Sequence, residues 1–147
     1  MSSIVTDLES IEQYVAPLFP AATIYLQYVP AQPTANSLSI RLQGVNTETE
    51  TLYHMARHRE YQLVYFGTSN VDVLTKMDAL DRQLNNDLLI PIKGSTRYLR
   101  VESFSLSQPF KTENGIDAII GVLAVTVREA RDQQQYEKIM NVYARHE

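Results

Sequence analysis

The sequence predicts an α+β domain: a mostly antiparallel sheet with helices packed on one face, a strand or loop arm protruding from it, and a C-terminal helix. Three observations carry that prediction. Two stretches, Leu8 to Leu18 and Val73 to Leu84, repeat apolar residues at steps of three and four, the spacing of one helix face. Several others alternate apolar with polar residues, the spacing of a half-buried strand. Helices and strands also interleave: helix, two or three strands, helix, two or three strands, terminal helix. One sheet covered by helices on one side buries both helical stripes at once.

The first helix is expected to begin at Thr6-Asp7-Leu8-Glu9, which has the spacing of a capping box. Leu8, Ile11, Val15 and Leu18 form its apolar stripe, Pro17 weakens its last turn and Pro20 ends it. Thr23 to Val29 reads as a short strand and PAQPTANS as a loop. Leu38, Ile40 and Leu42 alternate with Ser39, Arg41 and Gln43, and Gly44 is expected to close that strand. A third strand, Tyr61 to Phe66, leads to a helix capped at Ser69 with Asp72 in its first turn and Val73, Met77, Leu80 and Leu84 on its apolar face. Asn85-Asn86-Asp87 ends it. Leu88 to Ile92 holds Pro91, which removes a ladder donor and so predicts an edge strand or extended loop rather than a central strand. Tyr98 to Leu106 alternates, Glu113-Asn114-Gly115 turns, and Ile116 to Val127, apolar on both faces, predicts a central strand. Residues 1–131 therefore form one domain, and Asp132 to His146 a helical extension with Tyr136, Ile139, Met140 and Tyr143 on one face.

The 147 residues suffice for a core without metals or disulfides, and there is no cysteine to form either a disulfide or a thiolate site. Hydrophobic residues at 44% and charged ones at 20% match a globular chain. The N-terminus lacks a basic region followed by an apolar run, so no signal peptide is expected. The longest apolar run, IIGVLAV, is too short for a bilayer, so no membrane partner is expected. The net charge of −4, mixed along the chain, provides no basic face for gripping phosphates.

Catalytic templates are missing too: there is no glycine-rich phosphate loop, no GxSxG elbow and no thiol nucleophile. His54 and His58 in HMARH have a zinc-like helical spacing, but Met55 stands where a metalloprotease has its glutamate, and on a strand the two imidazoles would sit about 13 Å apart. Glu102 in RVESF has no lysine beside it to complete a nuclease motif, and Asp78 and Asp81 fall on the polar side of the second helix. No catalytic, cofactor-binding or metal-ligating residue is assigned, no cofactor is expected, and the chain is expected not to be an enzyme.

The stretch NTETETLYHMARHREYQLVYF, Asn46 to Phe66, raises a different possibility. Threonine favours strands, yet TETET has no apolar face to lie on a core. It therefore predicts a protruding arm before Arg59, costly in entropy to order unless another molecule supplies a sheet edge or opposite charge. Acidic Glu48 and Glu50 with basic Arg57 and Arg59 would suit head-to-tail contacts that close into a ring. With Tyr53, whose ring suits intermittently buried surfaces, these are the candidate interface residues. A solvated surface loop is the alternative.

Several segments in order carry a resemblance: LFP at Leu18 to Pro20, SLSIRL, the polar lead-in to REYQLVYF, the helix VDVLTKMDALDRQL, RYLRVESFSL and IIGVLAVTVREAR. Together they resemble the tail terminator, or tail completion, proteins of long-tailed bacteriophages. The likeness spans nearly the whole chain and rests on the order of segments. The terminal helix, Asp132 to His146, is additional to the family pattern, and Tyr136, Ile139, Met140 and Tyr143 are its candidate docking residues. The resemblance implies a virion protein that forms a ring, typically hexameric, caps the tail tube, ends its polymerisation and offers a surface for the head connector. It implies a tail tube protein and a head completion protein as partners, no catalysis, and genome DNA passing through the lumen without specific binding. The protein would be assembled in the host cytoplasm and sit at the head-proximal end of the tail. A head-completion or connector protein of the same virion, a small metal-dependent DNA-processing enzyme and a monomeric binding module are the rival readings.

Overall fold

In the computed structural model, which describes residues 3–130, the chain runs from helix α1 (Ile4–Val15) through a 3-10 turn (Ala16–Leu18) to strands β1 (Thr23–Leu26), β2 (Ser37–Thr49) and β3 (His54–Gly67). Helix α2 (Asn70–Asp87) follows, then β4 (Leu89–Pro91), β5 (Tyr98–Leu106), β6 (Phe110–Lys111) and β7 (Asp117–Ala130). The strands form one sheet in the order β1-β2-β3-β7-β5-β4, with β6 also paired to β7. The β1–β2 pair is parallel and every other pair antiparallel. The α+β class and the mostly antiparallel sheet agree with the sequence reading. The expected helix from Asp132 to His146, with Tyr136, Ile139, Met140 and Tyr143, lies outside the described residues.

Both described helices lie on one face. Leu8, Ile11 and Val15 of α1 and Val73, Met77, Leu80 and Leu84 of α2 share a single core with Leu38, Ile40, Tyr61, Leu63, Tyr65, Ile119 and Leu123. These sheet residues are register partners, Leu38 with Tyr65 and Ile40 with Leu63, and Tyr61 with Leu123 and Tyr65 with Ile119. Alternation thus sends one parity of each strand under the helices. Helix α1 touches both β2 and β4, near opposite sides of the sheet, so the sheet curls around it. Gly121 of β7 makes room for this packing: a Cβ there would meet the Phe104 ring at 2.6 Å and the Met77 methyl at 3.0 Å. The reverse face carries a smaller apolar cluster, Val64, Phe66 and Ala118, flanked by Val29, Ile116 and Ile120.

Two boundaries differ from expectation for identifiable reasons. Helix α1 starts earlier, because Ser3 is the cap and its Oγ accepts from the Thr6 amide at 3.0 Å. Strand β2 does not stop at Gly44: the ladder shifts register between Leu42 and Gly44 and continues to Thr49. Such a bulge turns the strand and exchanges which parity faces the core. The expected arm is therefore no loose segment. Its backbone pairs with β3 from Thr49↔Met55 inward, and β3 pairs with β7 out to His54↔Ala130.

Candidate assembly surface

Side chains from Val45 to His54 are all exposed, on both parities, while their backbones remain in the ladder or in its turn. Main-chain pairing holds this hairpin without a hydrophobic face of its own. Its turn is closed locally: the Glu50 and Thr51 amides donate to the His54 carbonyl, at 3.3 and 3.1 Å, and Thr51 Oγ1 accepts from the Tyr53 and His54 amides. A threonine hydroxyl bonding the backbone two and three residues on is an established turn device. At the tip stand Leu52, 60% exposed, and Tyr53, 49% exposed, with Val45, 46% exposed, farther down β2 opposite Arg59.

The charged candidates occupy different surroundings from those expected. Glu50 bonds Arg128 of β7 through both guanidinium contacts, at 2.7 and 3.0 Å. Those bonds hold its carboxyl below the usual carboxylate range and raise Arg128 in turn. The pair crosses β3 where the small Ala56 lies opposite Arg128 in register. Glu48 sits 3.5 Å from His58 Nε2, whose other nitrogen is 3.3 Å from Glu102 and 3.0 Å from the Thr126 hydroxyl. Arg57 pairs with the buried Glu129 at 3.1 Å.

Arg59 corrects the sequence reading outright. It is 1% exposed and ion-paired to Asp7, itself fully buried in the first turn of α1. A residue so enclosed touches no neighbour, so Arg59 is a core residue and not an interface one. Its parity with Tyr61, Leu63 and Tyr65 was the available signal. What sequence reasoning missed at the tip is Leu52, more exposed than Tyr53 and apolar.

The outer edge of β2 is the other open feature. Strand β1 pairs only with Ser37 to Ile40, and the Gln27 side chain then accepts from the Leu42 amide at 2.5 Å. From Gly44 to Glu48, β2 has no strand on its outer side among the described residues. An unpaired edge is a template for another chain.

Residues weighed earlier for chemistry are dispersed or engaged structurally. His54 and His58 lie on one strand, Glu102 bonds Thr126, and Asp78 pairs with Arg82 along α2. Among the described residues no group of three or more His, Asp or Glu is arranged to hold a metal ion, and no helix is long and apolar enough to cross a membrane.

No family model and no curated protein matches the chain. A solved structure whose name states no function is similar over 90% of this chain and 98% of its own, with 11% sequence identity and a TM-score of 0.48.

Proposed function

We propose that this chain is a structural virion protein, a tail terminator that assembles as a homo-oligomeric ring on the end of a bacteriophage tail tube, stops its polymerisation and presents the head-joining surface. The observation that carries the reading is the hairpin at the end of β2 and β3. It is held by its own ladder, it exposes Leu52 and Tyr53 at the tip, and its Gly44 to Glu48 edge has no strand beside it among the described residues. The resemblance in segment order supplies the role that such a surface would serve. Contact through the tip and edge is heterologous, the hairpin of one copy against a different face of the next, and closes into a ring when the rotation divides the circle.

The charges refine this. Glu50, Arg57 and Glu48 have partners within the chain, so apolar tip residues and main-chain edge groups, more than free charges, drive association. Sedimentation velocity and electron microscopy with purified tail tubes test it. The wild type forms rings and caps tube ends, while a Leu52→Ser/Tyr53→Ser double variant keeps its melting temperature within about 2 °C and loses both. A wild-type chain that stays monomeric at high concentration and never binds tube ends overturns the reading.

A further inference from the structure

We propose that the outward side of β4 and β5, at Leu88, Leu89 and Tyr98, seats the hairpin tip of a second copy of this chain, with Leu52 and Tyr53 packed against it. The two strands are neighbours in register, Leu89 opposite Arg100 and Pro91 opposite Tyr98. Alternation turns Ile90, Leu99 and Val101 into the core and leaves Leu89, Pro91, Tyr98 and Arg100 facing away from it. Leu88 joins them as the left-handed cap of α2, at φ 64°. Leu88, Leu89 and Tyr98 are 44–52% exposed, an open apolar patch at the side of the sheet remote from β2.

Charge selects the occupant. From Leu88 to Arg100 the chain carries Lys93, Arg97 and Arg100 and no acid, within a protein of net charge −4. Lys93 is tied to Glu9, while no ion pair among the described residues uses Arg97 or Arg100. From Gly44 to Tyr53 the chain carries Glu48 and Glu50 and no base. Two basic patches repel each other, and so do two acidic hairpins, which leaves acidic hairpin on basic patch and apolar tip on apolar patch. The two elements sit toward opposite sides of one sheet, as a head-to-tail contact that repeats around a ring requires. Within one chain they cannot meet. Three ladder steps, Leu89 to Arg100 to Thr126 to His58, span about 14 Å, and the turn begins four residues further along β3, about another 13 Å.

The inference rests on the assembly reading and names the surface that receives the hairpin. Because the chain has no cysteine, disulfide trapping of the full-length protein reports only the introduced pair. Leu52→Cys and Leu89→Cys variants are mixed in a glutathione redox buffer and linked dimers are quantified. The expected result is several-fold more linked dimer from the mixture than from either variant alone. It should also exceed Leu52→Cys mixed with Val71→Cys, exposed about 25 Å away at the start of α2. Tyr53→Cys with Tyr98→Cys repeats the measurement at a second contact. Separately, Arg97→Glu/Arg100→Glu should keep its melting temperature, because exposed charges contribute little to stability, yet lose most of its rings at low salt. Three results sink this inference alone: rings that form while both cysteine pairs link at the control rate, Leu89→Cys linking by itself as fast as in the mixture, or an Arg97→Glu/Arg100→Glu chain that forms rings as well as the wild type. Absence of any association by the wild type sinks it together with the proposed function.

Discussion

Removing Asp7 is the sharpest test of the energetics. Its carboxylate is fully buried in the first turn of α1, and its partner Arg59 is 1% exposed on β3 with Val45 and Val125 as register neighbours. Burying two charges together is a near balance of desolvation against attraction, but deleting one removes the ion pair that compensates the other's burial and costs about 3–5 kcal/mol. For a chain of this size each kcal/mol shifts the melting temperature by about 3 °C, so Asp7→Ala is expected to melt about 10 °C or more below the wild type. The control is apolar replacement of both partners, Asp7→Leu/Arg59→Met, which removes both charges and restores most of the loss. Urea unfolding followed by circular dichroism reads both. An Asp7→Ala loss below about 1 kcal/mol, or a double variant no better than the single, would refute the argument that this pair is held out of water.

Other expectations follow the same geometry. The Tyr61 hydroxyl is buried with no hydrogen-bond partner among the described residues, so Tyr61→Phe should be neutral or stabilise by up to about 1–3 kcal/mol, measured by urea titration. Burial also pushes Tyr61 and Tyr65 up to about 12, so the unfolded chain releases those protons first and stability falls as pH rises from the ordinary value of 10 toward 12. Tyr61→Phe should flatten that decline in pH-dependent melts. Gly121→Ala would drive a methyl into the Phe104 ring and cost about 1–3 kcal/mol, partly recovered by adding Phe104→Leu. Glu50→Lys breaks an exposed ion pair and should leave the melting temperature almost unchanged, with ring formation, read by sedimentation, reduced less than by the Leu52→Ser/Tyr53→Ser change.

Local signals reached far into this fold. Ser69 caps α2 by accepting from the Asp72 amide, and all four stripe residues from Val73 to Leu84 are buried, because one helix face meets one sheet. Strand β5 has its predicted bounds, and Pro91 lies on the edge strand β4. The failures come from interactions that side-chain pattern does not display, whether distant in sequence or in the backbone ladder. Nothing near Arg59 announces Asp7, so a charge on the core parity looked like a surface group. Gly44 looked like an ending because the bulge beside it breaks the alternation of Leu38, Ile40 and Leu42. TETET seemed unsupported because pairing with β3, which is itself flanked by β7, is invisible in side-chain pattern. The hairpin was legible as a polar projection, and its apolar tip was overlooked because charges drew the interface reading toward Glu48, Glu50, Arg57 and Arg59.

The placement of β7 bears on how this chain is made. It is the last described strand, yet it lies between β3 and β5 and pairs His54 with Ala130 and Gly67 with Asp117. Translation therefore delivers both flanking strands before the one that joins them, and nascent chains carry unzipped edges until β7 emerges. Contacts so remote along the backbone slow the search for the native arrangement. Shortened products ending before Asp117 would keep the β1-β2-β3 and β4-β5 ladders but lack the strand that joins them into one sheet.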